Sequence, residues 1–329
     1  MGHHFYYSIL LLEMTRLIDN PTLPISLVIV SDFEPGKKTW QDEDACLRHS
    51  MADPNGVPSQ VIIAASAAYE QTERPDWSDI SVPVEIIFVD SEYSGTIKDG
   101  ATDHATQDLL AVVEADCIAK PRWLLGLYVR YLEDMDVGAV SGLTMYEPTS
   151  VFRRVSSLYD RAFIEETFHN GDAIHISNNG ALYEKDLLSR FPYPEDTSPF
   201  ISAHKRSISI IDAEIRCSLT KEAIQYHAFD GWSFIVDVRK NKGFQYQIMR
   251  SEMMGVSPNA LQKIWWTIDM ALKGILSDYR TLKRSFSTFC KSRDLPLALL
   301  YPFLVRPLEL WGAVLCHMGH RSVPHSSYR

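Results

Sequence analysis

The run 25–30 is apolar and largely β-branched, interrupted only by Ser26, and it follows Pro21 and Pro24. That pattern predicts a strand buried on both faces of a parallel sheet. A polar loop over 31–39 follows, and Trp40, Ala45, Leu47 and Met51 then recur among charges over 40–51, which predicts an amphipathic helix. The runs 61–65 and 84–89 predict a second and a third strand. Residues 103–110 predict a helix capped by Asp103, and 110–113 a fourth strand ending in Glu114-Ala115-Asp116. Pro121 starts a further helix with Trp123, Leu124, Leu127, Tyr128 and Tyr131 along one side, and 137–143 predicts a fifth strand. Strands alternating with helices over 143 residues imply a doubly wound α/β sheet, whose ligands bind beyond the carboxyl ends of its strands. From about residue 151 the pattern shifts to longer helical stretches, then to a polar turn over 177–180 and aromatic-rich loops, and 257–320 reads as mostly helical.

The chain has 329 residues, with 32 Lys and Arg against 42 Asp and Glu, so its net charge is −10. That balance argues against broad nucleic-acid binding. The five cysteines (Cys46, Cys117, Cys217, Cys290, Cys316) are widely spaced and odd in number, which suggests neither a zinc site nor a disulfide framework and fits a reducing, cytoplasmic compartment. The apolar stretch 5–12 lacks a basic leader and a small-residue cleavage site, so no signal peptide is expected. The charge-free run 295–305 contains two prolines and falls short of the ~20 residues of a bilayer span. No membrane-spanning segment is expected.

The most informative local feature is the acid triplet 114–116. Two carboxylates one residue apart at a strand end can both lean toward a divalent cation, and hard oxygen ligands suit Mg²⁺ or Mn²⁺. The surrounding blocks, in order, give it weight. The segment 26–32 (Ser-Leu-Val-Ile-Val-Ser-Asp) is an opening strand with a loop, 40–47 is a helix ending Ala-Cys-Leu, and 98–101 reads Lys-Asp-Gly-Ala. The segment 114–124 reads Glu-Ala-Asp-Cys-Ile-Ala-Lys-Pro-Arg-Trp-Leu, and 177–187 reads Ser-Asn-Asn-Gly-Ala-Leu-Tyr-Glu-Lys-Asp-Leu. Together these resemble the glycosyltransferases of family 2, inverting enzymes with the GT-A fold, over about residues 25–250.

The resemblance implies a GT-A-like α/β domain with a mixed sheet over 22–250, its nucleotide-sugar half at about 22–145 and its acceptor half at about 146–250, followed by a helical extension over 251–329. It implies a metal-dependent, inverting transfer of a sugar from a nucleotide-diphosphate donor, UDP-sugars by default, to a hydroxyl of a saccharide, glycan or lipid-linked acceptor. Asp116 becomes the expected Mg²⁺ or Mn²⁺ ligand, with His227 completing the site, while Glu114 can touch ribose instead of metal. Ser31, Asp32, Ser66 and Lys98 would line the nucleotide sugar, and Asn178, Asn179 and Trp232 the acceptor. Each has a plainer alternative: a solvated lysine, a core histidine, an Asn-Gly turn, a core tryptophan.

Two departures from the family pattern stand out. The second strand ends in Ser66 where an aspartate usually contacts the base, and Asp90, at the end of the third strand, is a close second candidate for that contact. For the base that takes the acceptor proton, Asp196 and Glu195 come first and His204 and Glu214 after them. A catalytically silent nucleotide-sugar or partner-binding module is therefore the alternative reading. A nucleotidyltransferase ranks lower, because 31–38 holds a single glycine, Gly36, where a phosphate loop would be glycine-rich. The tail from 295 to 318 is apolar, interrupted by Arg306 and Glu309, and Lys283, Arg284, Lys291, Arg293 and Arg306 make this end of the chain locally basic. It can lie in a membrane interface on the cytoplasmic side, or pack on the catalytic domain or on the partner in a homodimer.

Overall fold

The computed structural model describes residues 22–31, 39–54, 56–134, 136–165, 176–194, 199–320 and 322–323. Asp32, Glu195 and Asp196 lie outside the described residues. By its contacts the chain forms two compact units, one of Met1–Thr144, Thr167–Thr197 and Ser202–His227, the other of Met145–Glu166, Ser198–Ile201 and Ala228–Arg329.

The first unit is built on an eight-stranded mixed sheet. Its strands are β1 (Thr22–Val30), β2 (Val57–Ser66), β3 (Val84–Val89), β4 (Leu109–Glu114), β5 (Cys117–Ala119), β6 (Val137–Tyr146), β7 (Ala181–Glu184) and β8 (Arg216–His227), in the order β3-β2-β1-β4-β7-β6-β8-β5. The first four are parallel, whereas β4–β7, β6–β7 and β5–β8 pair antiparallel. Successive strands step outward from β1 through β2 to β3, and the chain then returns to place β4 on the other side of β1. The crevice at the carboxyl ends of β1 and β4 is therefore the switch point where such sheets bind ligands.

Alternation along β1 explains the double burial. Leu23, Ile25, Leu27 and Ile29 face one side, where Trp40, Leu47, Trp123 and Leu127 pack. Val28 and Val30 face the other, with Ile97, Ala101, Leu187 and Ile210. Each such buried Leu or Ile contributes about 1.5–3 kcal/mol. The one polar residue of the run, Ser26, is satisfied because its hydroxyl donates to Gln60 Oε1 at 2.7 Å.

The helices that cover these faces are α1 (Gln41–Met51), α2 (Ser94–Thr102), α3 (Trp123–Glu133), α5 (Lys185–Arg190) and α6 (Pro199–Asp212), with α4 (Val151–Arg161) belonging to the other unit. The helix expected over 103–110 is instead α2, and Asp103 is its C-cap, not an N-cap. Residues 109 and 110 already belong to β4. Helix α3 starts two residues after Pro121, because Arg122 adopts a left-handed φ of 67° and its N–H is taken by the Asp53 carboxylate.

The second unit gathers α4 with three long helices, α7 (Trp232–Met254), α8 (Ala260–Phe289) and α9 (Leu295–His317). Helix α7 packs with α9 at two glycines, since a Cβ at Gly243 would overlap the Glu309 carbonyl and one at Gly312 the Lys240 carbonyl. Buried charges are paired there: Arg154 Nε holds Asp294 at 2.7 Å, Arg239 Nη1 holds Glu309 at 2.8 Å, and Arg306 bonds both Asp278 and Glu309. This pairing lets α9 continue through Arg306 and Glu309, beyond the charge-free run. Ser292–His317 is thus the one helix among the described residues long and apolar enough, by length and composition, to cross a membrane.

Candidate metal centre

Strand register brings the site together. Val30 and Glu114 are register partners at the ends of β1 and β4, and Ala115 N–H donates to the Val30 carbonyl at 2.9 Å. The chain then turns through Asp116 into β5, where Cys117 pairs across from His227, the last residue of β8. Strand pairing thus sets an imidazole beside the acid triplet from more than a hundred residues away. His227 Nδ1 lies 3.3 Å from Asp116 Oδ2, and its Nε2 lies 3.9 Å from Glu114 Oε2. Glu114, Asp116, Cys117 and His227 can each offer one ligand atom, all within 4.8 Å of one another.

Glu114 is held from three directions. Lys98 Nζ, on α2, meets its Oε1 at 2.9 Å. Asn179 Nδ2 donates to its Oε2 at 2.6 Å, while Asn179 Oδ1 accepts from the Glu114 N–H at 3.1 Å. The same Oδ1 accepts from Gln225 Nε2 at 2.7 Å, so the Asn179 amide is itself fixed. Gly180 makes this possible. Its φ of +79° turns the chain, its N–H bonds Val112 O at 2.8 Å, and a Cβ there would sit 2.6 Å from Gln225 Nε2.

Two carboxylates and one imidazole form a hard-to-borderline donor set that suits Mn²⁺ or Mg²⁺. Glu114 and Asp116 are about one-fifth exposed and His227 is buried, so the carboxylates form the open rim and the imidazole the floor. Cys117 is the less fitting donor, because Asn179 Nδ2 reaches its sulfur at 3.2 Å and the thiol is turned to Asp116 Oδ1 at 3.6 Å. Nearby Cys46 stays a thiol: burial first, and the charge of Asp116 second, push it far above its usual range.

The other expected residues fall as follows. Ser31 is buried at the end of β1, its N–H on Ala64 O at 2.8 Å, and its hydroxyl finds no hydrogen-bond partner among the described residues. Ser66 ends β2 and its Oγ caps the following turn through Ala68 N–H at 3.4 Å. Asp90 is exposed beyond edge strand β3, two strands from β1 and so roughly 10 Å away across the sheet. Lys98 is 7% exposed and engaged with Glu114. Asn178 accepts a hydrogen bond from Tyr193 Oη at 2.9 Å. Asn179 is buried and directed at Glu114, Cys117 and Gln225, an internal role in place of the expected outward one. Trp232 begins α7 in the second unit, partly exposed, its ring 6.0 Å from that of Phe152. His204 lies on α6, where burial lowers its imidazole pKa. Glu214 precedes β8, whose twelve residues put it roughly 40 Å from His227.

Sequence reasoning passed over Gln225 and Asp99. Gln225 lies two residues before His227 on one strand, hence on the same face, so strand alternation alone would have found it. Asp99 is adjacent to Lys98, receives the Tyr193 N–H at 2.6 Å, and burial raises its carboxyl to about 6.

No protein-family model matches the chain, and no curated protein matches it in sequence. Solved structures do. The mannosyltransferase PcManGT from Pyrobaculum calidifontis, solved with GDP-mannose and Mn²⁺, superposes with a TM-score of 0.54 at 14% identity over 95% of each chain. Glucosyl-3-phosphoglycerate synthase from Mycobacterium tuberculosis, with phosphoglyceric acid, aligns at a TM-score of 0.46 and 12% identity over 75% of this chain and 85% of its own. The architecture here, a mixed eight-stranded sheet flanked by helices, is the GT-A glycosyltransferase fold.

Proposed function

We propose that the protein is a divalent-cation-dependent glycosyltransferase that moves a sugar from a nucleoside-diphosphate donor to a hydroxyl acceptor, with inversion in a single displacement. The observation that carries this reading is the convergence of Glu114, Asp116 and His227 at the carboxyl ends of β1 and β4. Asp116 and His227 would hold the cation, with Glu114 at its edge. A bound Mg²⁺ or Mn²⁺ supplies Lewis-acid neutralisation of the charge gathering on a departing diphosphate.

The chain's own groups do the rest. Lys98 and Asn179 fix Glu114 as an oriented carboxylate, and Ser31 offers its buried hydroxyl at the donor side of the crevice. The resemblance assigns the acceptor proton to Glu195 or Asp196. The mannosyltransferase with the shared fold was solved with GDP-mannose, so a GDP-sugar donor stands beside the UDP-sugar that the sequence resemblance favours. We place the reaction in the cytoplasm.

Donor hydrolysis and thermal shift, measured with a panel of UDP- and GDP-sugars in the presence of Mn²⁺, test the proposal. Metal-dependent binding with turnover is expected for the native chain, and Asp116→Ala should abolish metal-dependent binding while leaving the fold intact. Binding without turnover under any acceptor mixture would favour the silent module, a reading supported by Ser66, which caps its own turn where a base-contacting aspartate is expected. Absence of nucleotide-sugar binding would overturn both.

A further inference from the structure

Helix α8 carries an apolar stripe on its exposed side as well as buried apolar residues. Leu261, Ile264, Trp265, Ile268, Leu272 and Ile275 recur at steps of three and four residues and fall within an arc of roughly 100°. That arc is exposed, Leu261 at 78% and Ile264 and Trp265 at 59% each. The buried positions of the same helix are mixed, with Asp278, Thr281 and Ser285 beside Trp266, Met270 and Phe289. Helix α9 lies antiparallel to α8, joined through Lys263 to the His317 carbonyl at one end and Arg306 to the Gly274 carbonyl midway. It exposes Leu299, Leu300, Phe303, Leu304 and Trp311 in turn. An apolar surface this extended on two adjacent helices marks an interaction face.

Charge selects the partner. Although the chain carries −10, residues 260–320 hold eight Lys and Arg against four Asp and Glu. Three of the four acids are directed inward, Asp278 and Glu309 to Arg306 and Asp294 to Arg154, while Asp269 bridges Arg250 and the exposed Lys273 at 3.0 Å. The exposed charges of these helices and their connection are all cationic, namely Lys273, Arg280, Lys283, Arg284, Lys291 and Arg293. Lys283 extends the α8 stripe and Arg280 lies to one side of it, a placement from which long stems lie along apolar surface while their heads reach outward. Trp265, Trp311 and Tyr279 add rings of the kind enriched at membrane interfaces.

We infer that the α8–α9 face is a monotopic docking surface for an anionic lipid membrane. The helices lie on the bilayer and do not cross it, because the opposite side of α9 is packed against α7 and carries the Arg239–Glu309 pair. Outside residues 260–320 acids exceed bases, a balance that an anionic surface repels. The inference stands apart from the proposed reaction, since its test reads partition and not turnover.

The test is co-sedimentation of the full chain with vesicles of phosphatidylcholine alone and of phosphatidylcholine with phosphatidylglycerol. Retention on the anionic vesicles, falling with added salt, is expected. Ile264→Glu with Ile268→Glu should abolish it, and Lys283→Glu with Arg284→Glu should weaken it by at least about 5-fold per charge. Circular dichroism checks that the variants, all at exposed positions, remain folded, and either pair suffices alone. No retention on anionic vesicles, equal retention on both vesicle types, or binding unaffected by both pairs would overturn the inference. So would a dimer in light scattering that the Ile264/Ile268 pair dissociates while vesicle binding is absent, for then a second copy of the chain covers the face.

Discussion

Asn179→Ala removes a side chain that, together with Lys98, orients the Glu114 carboxylate. Four hydrogen bonds are lost: those Nδ2 gives to the Glu114 carboxylate at 2.6 Å and, weakly, to Cys117 Sγ at 3.2 Å, and the two that Oδ1 accepts from the Glu114 N–H at 3.1 Å and Gln225 Nε2 at 2.7 Å. The charge-assisted bond is worth about 2 kcal/mol and each neutral one about 1 kcal/mol. The carboxylate is 21% exposed and regains some water, so the net loss of stability should be roughly 3 kcal/mol. The functional consequence is separate. Without the donor to Oε2 the carboxylate is less firmly oriented toward Asp116 and His227, and loss of such an orienting partner typically weakens metal binding about 10- to 100-fold. Gln225→Ala is the control, since it deletes the bond to Asn179 Oδ1 without touching Glu114. Urea denaturation should report a loss for both variants, whereas Mn²⁺ titration calorimetry should report the large loss of affinity only for Asn179→Ala. A folded Asn179→Ala protein that binds Mn²⁺ as the native chain does would refute the positioning role.

Gly180→Ala should cost about 2–3 kcal/mol in urea denaturation, from the φ of +79° and the displacement of Gln225 from Asn179. Asp99 and Asp294 should give opposite pH dependences. Burial raises the Asp99 carboxyl to about 6 in the folded chain, so its contribution is present below the unfolded value near ~4 and is lost as pH rises through about 6. The native chain should therefore lose stability relative to Asp99→Asn across that window. The Asp294 carboxyl is lowered to about 2, chiefly by its hydrogen bonds from Arg154, so its contribution is present above ~4 and is lost as pH falls toward 2. The gap between the native chain and Asp294→Asn should be full at neutral pH and close in acid, as read by urea midpoints in a pH series.

Of the strands that sequence patterning located, β1, β2, β4 and β6 are buried on both faces, where unbroken apolar runs leave little ambiguity, and β3 is a half-buried edge strand whose run is still mostly apolar. Strands β5 and β7, with three and four residues, are too short to show a period. Helix α2 hid for another reason. Its sequence Ser-Gly-Thr-Ile-Lys-Asp-Gly-Ala-Thr has two glycines and few strong helix formers, so its stability comes from packing Ile97 and Ala101 on the sheet and not from propensity. Asp103, read as the start of a helix, stands at the end of one.

The site divides along the same line. Glu114 and Asp116 were visible because their positions are set locally by the end of an apolar strand, whereas the proximity of His227 depends on the antiparallel register of β5 with β8. The twin roles of Asn179 depend on a long-range pairing too, with Gly180 inserted against Gln225. For α8 the periodicity was legible but its direction was not. A stripe of Leu, Ile and Trp every three or four residues ordinarily turns toward the core, and nothing in the stripe itself says otherwise. What reverses the assignment is the rest of the helix, where Trp266, Met270 and Phe289 are buried and Asp278 meets Arg306. A buried ion loses hydration worth several kcal/mol that only a placed counter-charge offsets, so the Asp278–Arg306 pair, with those buried side chains, commits that side of α8 to the protein interior. With that side fixed, the apolar stripe can only face outward.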